Sequence, residues 1–230
     1  MTEAEIRQAE KDAGDDAGAL AMLLLLLLMK PRSPEGQRVR FDPAAGRFYF
    51  DGKTVSIRSI RAHLNRIEDR FGKKLAKMTR DLEDGRVTLA EWKRSFDRTV
   101  ISSHILAGAL ALGGIAVAVR NSKVQSRIAD ELKFADEFSE SIRMKKAGSF
   151  SKIRARAKSY LMAASVTYSQ IEQDVRGLMG MQTEAKRIRR AAESCRGCIE
   201  YSYRWMPIAE LPPIGSLQCR QHCRCFVIYR

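Results

Sequence analysis

The sequence predicts a mainly α protein: a bundle of long helices, preceded by a short β-hairpin and closed by a small cysteine-rich module. Three observations predict it. An apolar stripe recurs at helical spacing from Ile57 to Leu82. Helix-capping residues open the later segments. All five cysteines fall in the 31 positions from Cys195 to Cys225. The chain divides into an acidic tail and apolar arm (1–34), a hairpin with the bundle (35–180) and the cysteine-rich module (181–230).

Residues 1–18 carry six Asp or Glu against Arg7 and Lys11. Eleven apolar residues follow at 19–29, with Leu23, Leu24, Leu25, Leu26, Leu27 and Leu28 at their centre. A bilayer span needs about 20. A signal peptide would carry positive charge ahead of its apolar core, and this segment carries negative charge. The expectation is a docking arm for a protein partner, set apart by Lys30-Pro31-Arg32-Ser33-Pro34; docking on the chain's own helices is the alternative. Residues 38–53 alternate in polarity around Asp42-Pro43-Ala44-Ala45-Gly46, the pattern of a β-hairpin.

Ile57, Ile60, Leu64, Ile67, Phe71, Leu75, Met78 and Leu82 then mark one face of a long helix ending near Asp84-Gly85. Residues 53–80 hold nine basic side chains against two acidic ones. Thr88-x-x-Glu91 is a capping box, and Trp92, Phe96 and Val100 begin the next core stripe. Residues 105–119 are fifteen in a row without a charge, rich in Ala and Gly. That is short for a span, and small residues let helices pack closely, so a buried helix is expected and membrane contact is not. Asn121-Ser122 caps a helix with Val124, Ile128, Leu132, Ala135 and Phe138 inward. A last long helix carries Ile153, Ala157, Leu161, Ala164, Tyr168, Ile171 and Val175. Its periodicity ends at Gly180, and Phe226-Val227-Ile228-Tyr229 reads as a closing strand.

The net charge of +14 and pI near 9.9 point to a polyanionic partner; an acidic protein neighbour is the alternative. Candidate nucleic-acid contacts are Arg66, Arg70, Lys73, Lys74, Lys77 and Arg80 on the long helix, and Lys186, Arg187, Arg189 and Arg190 before the cysteines. His63, His104 and His222 are dispersed, no nucleophile–base pair emerges and no Gly-rich phosphate loop occurs, so no enzyme is expected.

Cys195-x-x-Cys198 lets two thiolates turn toward one point, and Cys219-x-x-x-Cys223-x-Cys225 supplies further ligands after a twenty-residue gap. A tetrahedral Zn²⁺ needs such pairs, and the module would be zinc-ribbon or knuckle-like. The expected ligands are Cys195, Cys198, Cys219 and Cys223, with Cys225 or His222 as substitute. Disulfides are the competing reading, although five is odd. A redox Cys-x-x-Cys lacks the strand–helix setting it needs.

The Cys-x-x-Cys, the link through Leu211-Pro212-Pro213-Ile214-Gly215 and the ending Cys223-Arg224-Cys225 resemble the C-terminal signature of tailed-phage minor head proteins, the head-morphogenesis proteins similar to that of phage Mu. The usual ending there is His-Pro-x-Cys-Arg-Cys. Here Cys219 stands four residues before Cys223, and His222 directly before it. The resemblance covers about the last 45 residues closely and the helical part more loosely. It implies a structural protein of the virion, made in the host cytoplasm and placed in the head beside the portal, the major capsid protein and the packaged double-stranded DNA, which it would contact without reading sequence. Self-association is left open. Two other expectations stand beside it: a zinc-module regulator that binds nucleic acid, and a membrane-active protein working through 105–119.

Overall fold

The computed structural model describes residues 39–42, 47–50, 53–55, 57–180, 182–190 and 193–230. The arm at 19–29, with Leu23 to Leu28, lies outside them. The fold is mainly helical, with a small three-stranded antiparallel sheet and a cysteine cluster near the C-terminus. The hairpin expected over 38–53 is not supported as a unit of this fold. Val39–Asp42 (β1), Arg47–Phe50 (β2) and Lys53–Val55 (β3) are short extended pieces in antiparallel register, Val39 opposite Phe50 and Phe48 opposite Val55. The turn residues 43–46 lie outside the described residues.

Helix α1, Ile57–Glu83, buries Ile60, Leu64, Ile67, Phe71 and Leu75, with Met78 and Leu82 packed at the margin. The 3–4 spacing puts these residues on one side, and Arg66, Arg70, Lys73, Lys77 and Arg80 stay exposed. Helix α2, Leu89–Leu112, starts at the expected capping box: Thr88 Oγ1 accepts from the Glu91 amide at 3.2 Å, and the Glu91 carboxylate accepts from the Thr88 amide at 2.8 Å. Trp92, Phe96 and Val100 are fully buried. Trp92 stacks on Phe96 with ring centres 4.9 Å apart; Phe138 meets both edge-on, and Tyr160 meets Phe96 edge-on at 5.1 Å. The Trp92 indole donates to Thr79 Oγ1 at 3.1 Å, and the Tyr160 hydroxyl donates to the Phe134 carbonyl at 2.9 Å. The polar ends of these large rings are therefore satisfied inside the core.

The uncharged run 105–119 does not form one helix. Gly113 takes a left-handed φ of 80° and caps α2, and a short helix α3, Ile115–Arg120, follows. The α2 part is buried, as expected. Gly108 faces helix α4, Ser122–Arg143, so closely that a Cβ there would stand 2.7 Å from a Val124 methyl. No helix among the described residues is long and apolar enough to cross a membrane. Asn121 Oδ1 caps α4 by accepting from the Lys123 and Val124 amides, and Val124, Ile128, Ala135 and Phe138 are buried.

Helix α5, Phe150–Met179, is the shared wall of the molecule. One face, with Ile153, Ala157, Leu161, Ala164, Tyr168 and Ile171, belongs to the main core with α1, α2 and α4. Val166 belongs to a second core that contains Ala185, Cys198, Ile208, Leu211, Ile214, Cys225 and Val227. That core lies under the C-terminal sheet, in which β4 (Glu184–Ile188) is central between β5 (Met206–Pro207) and β6 (Phe226–Tyr229).

Candidate metal centre and cationic surface

Three short elements bring the cysteines together. Cys195 is the N-cap of a one-turn helix, α6 (Arg196–Glu200), and its sulfur accepts from the Cys198 amide at 3.4 Å. Cys198 sits one turn on and is buried. Cys219 and Cys223 flank a 3₁₀ turn over Arg220–His222, and Cys225 immediately precedes β6. The result is two triads sharing Cys198: Cys195, Cys198 and Cys219, and Cys198, Cys223 and Cys225. Within each triad the sulfurs lie within 4.8 Å of one another. Cys198 Sγ is 3.5 Å from Cys219 Sγ and 3.8 Å from Cys223 Sγ. Thiolates this close can share a metal ion. His222 is exposed on its turn and belongs to neither triad.

The link between the two half-sites is clamped from both sides. Gln170 and Gln173 of α5 donate side-chain amides to the Ile214 and Leu211 carbonyls at 2.9 and 2.7 Å. Arg187 reaches the Pro212 and Pro213 carbonyls from the other side. Gly215 takes a left-handed φ of 81°, and a Cβ there would stand 2.4 Å from a Val166 methyl. Only glycine meets both demands.

Arg187 is the unexpected member. Sequence reading placed it among the nucleic-acid contacts; it is 0% exposed and cannot reach a phosphate. β4 alternates, so Ala185 and Arg187 point inward while Lys186 and Ile188 point outward. The Arg187 guanidinium donates to Cys198 Sγ at 3.2 Å and makes no ion pair with a carboxylate among the described residues. A buried guanidinium stays charged and needs negative charge beside it. The cysteine sulfurs are what lies there. Burial raises the Cys198 and Cys219 thiols, whereas hydrogen bonding from Cys225 holds Cys223 down to about 5 and raises Cys225 in return. For Cys195 burial opposes ionisation, but the hydrogen bonds from Cys198 prevail and lower it. The lowered thiols are thus Cys195 and Cys223, whereas Arg187 rests on Cys198, whose thiol burial raises.

The cations of α1 form a second feature. Arg66, Arg70, Lys73, Lys77 and Arg80 are exposed, and their spacing of 4, 3, 4 and 3 sets them in one stripe. At 1.5 Å per residue the stripe runs about 21 Å along the helix. Lys74 is half-buried at its edge. The module's cations are placed differently: Lys186 lies 4.7 Å over Trp205, Arg189 5.3 Å over Tyr203 and Arg190 5.2 Å over Phe226.

Three site features escaped the sequence. Arg61 stacks on Phe226 at 3.6 Å. A buried Glu172–Arg176 pair, 3.0 Å apart, joins α5 to Tyr229 through a cation–π contact of 4.5 Å. His104 is fully buried, with Nδ1 2.8 Å from Thr167 Oγ1. No protein family, curated protein or solved structure was found to match the chain.

Proposed function

We propose that this chain is a structural protein of a tailed-phage head, that its cysteine module is held by one Zn²⁺, and that its cationic helix lies against packaged double-stranded DNA. The observation that supports the metal part of the reading is the assembly of the five cysteines into two triads that share Cys198, from half-sites twenty residues apart in sequence. With Zn–S bonds of about 2.3 Å, a tetrahedral site has sulfur–sulfur edges of about 3.8 Å. The 3.5 and 3.8 Å separations around Cys198 fit such edges. Zinc bound there would lock the C-terminal turns together, and Arg187 would offset part of the thiolate charge.

The stripe on α1 supports the DNA half of the reading. Its apolar side is committed to the bundle, so the cations can only face outward. Contacts of this kind release counterions and read no bases. The role proposed is architectural rather than catalytic, with the arm at Leu23–Leu28 docking on a neighbouring head protein such as the portal or major capsid protein.

Purified full-length protein is expected to retard random duplex DNA at low salt. Affinity should fall at least about tenfold between 50 and 200 mM salt, with little sequence preference. Lys73→Gln with Lys77→Gln should flatten that salt dependence while leaving helix content unchanged. Elemental analysis should find about one zinc per chain. Co-sedimentation with intact particles tests the virion assignment. Absence of DNA retardation at low salt would assign the charge to an acidic protein neighbour instead.

A further inference from the structure

Between α1, α5 and the cysteine module lies a cavity of about 510 Å³, with Arg61, Tyr168, Glu172, Arg190, Arg224 and Phe226 among its lining residues. Two guanidiniums converge on one ring there: Arg61 at 3.6 Å and Arg190 at 5.2 Å from the Phe226 centre. Neither makes an ion pair among the described residues. Glu172, the nearest buried carboxylate, is already committed to Arg176 through bonds of 3.2 and 3.0 Å. Glu68 and Asp69 also line the cavity, but they sit seven and eight residues along α1 from Arg61, about 10–12 Å away. The cavity thus has an acidic end and a cationic end. At the cationic end, burial and the neighbouring Arg190 charge together lower the Arg61 pKa. The Tyr168 hydroxyl is buried on the same wall beside the Glu172 carboxylate, which helps to raise its pKa after burial itself.

We propose that the cationic end is a binding site for a phosphate group, gripped by Arg61 and Arg190 beside Phe226. Two like charges drawn to one aromatic ring in a half-buried site repel each other, and an anion bound between or beside them removes that cost. Guanidiniums suit phosphate because their planar donors can pair with two oxygens at once. The cavity is large enough for a phosphate with an attached sugar or base. This site is separate from the stripe on α1, so it stands or falls apart from the DNA reading above.

The test uses the full chain and two probes: inorganic phosphate, followed calorimetrically at constant ionic strength against chloride, and short single strands of one sequence with either a 5′-phosphate or a 5′-hydroxyl. Saturable phosphate binding is expected. It should weaken at least about tenfold in Arg61→Gln with Arg190→Gln, since charge-assisted hydrogen bonds of this kind are lost. Arg61→Lys should retain more binding, and Lys73→Gln with Lys77→Gln should leave it unchanged. A tighter complex with the 5′-phosphorylated strand, lost in the double variant, identifies a nucleic-acid end as the source. Phosphate binding without that preference identifies a free phosphate or small phosphorylated compound. Circular dichroism checks that the double variant keeps its helices; if it does not, Arg190→Gln alone decides, because Arg190 is exposed. No saturable phosphate binding, or binding unchanged in a folded variant, would overturn the proposal.

Discussion

The helical body closes on four aromatic rings, whereas the module at its C-terminal side closes on sulfur and a guanidinium. In the body, Trp92, Phe96, Phe138 and Tyr160 pack face and edge, and each large ring either is wholly apolar or finds a hydrogen bond. In the module the second core is small and includes Cys198 and Cys225, and Arg187 occupies a core position. A core of that size gains little from apolar burial, and small units of this kind need a staple. The module has two: the backbone clamp from Gln170, Gln173 and Arg187, and the cysteine cluster. The body stands by hydrophobic burial, whereas the module pairs a small core with a cysteine cluster that could hold a metal ion.

The largest expected effect separates the two regions by metal removal. Structural zinc sites in peptides contribute on the order of 10 kcal/mol to folding. Chelation, or Cys198→Ser, which removes the sulfur shared by both triads, should expose the remaining thiols to alkylating reagents and open the link at 199–218 to protease. Helix content should stay nearly unchanged. Slow alkylation after chelation, equal to that of untreated protein, would show that the module does not depend on metal.

The next effect belongs to the body. Phe96→Ala removes a fully buried ring in contact with Trp92, Phe138 and Tyr160. It should cost about 3–5 kcal/mol in denaturant unfolding followed by circular dichroism. Thiol protection in the metal-loaded module should change less, and equal loss in both regions would show that they unfold as one unit.

Acid should act on both regions by different groups. Burial holds His104 at a pKa of about 3, below its ordinary 6.5, with Arg127 adding to the shift. Between those values the unfolded chain binds a proton that the folded chain does not. Stability of the body therefore falls as pH drops below about 6.5, by at most about 1.4 kcal/mol per pH unit, and this contribution is absent above it. Asp97, Glu131 and Glu172, raised mainly by burial, act in the opposite sense. His104→Gln isolates the histidine part: its unfolding free energy should vary less between pH 6.5 and 4.5 than that of the parent. Metal loss on protonation of the thiolates should appear separately, as zinc released to a colorimetric chelator.

The smallest effect tests the seam between the regions. Gly215→Ala places a Cβ against Val166 in a left-handed conformation and should cost about 1–3 kcal/mol. The loss should appear as easier proteolysis of the Leu211–Gly215 link, with the aromatic core unaffected. A variant as resistant as the parent would show that the link shifts freely on α5.

The helices were legible in the sequence because their chemistry is local. An apolar residue every three or four positions, as from Ile60 to Leu75, fixes which side of α1 is buried whatever it packs against. Thr88 and Glu91 cap α2 through groups only three residues apart. The crowding of five cysteines likewise announced a shared site. Central strand β4 was not legible, because an arginine at its inward position breaks the apolar alternation by which strands are recognised. Only the tertiary structure decided that Arg187 turns to sulfur rather than to a phosphate, since that depends on a carbonyl pair and a thiol 11 to 26 residues away. It also decided that Cys198 is the sulfur common to both triads, and that Arg61 and Arg190, far apart in the chain, share one ring. Periodicity reports which face of an element leaves water; it carries no information about which partner that face meets, because pairing is set by the packing of the whole chain.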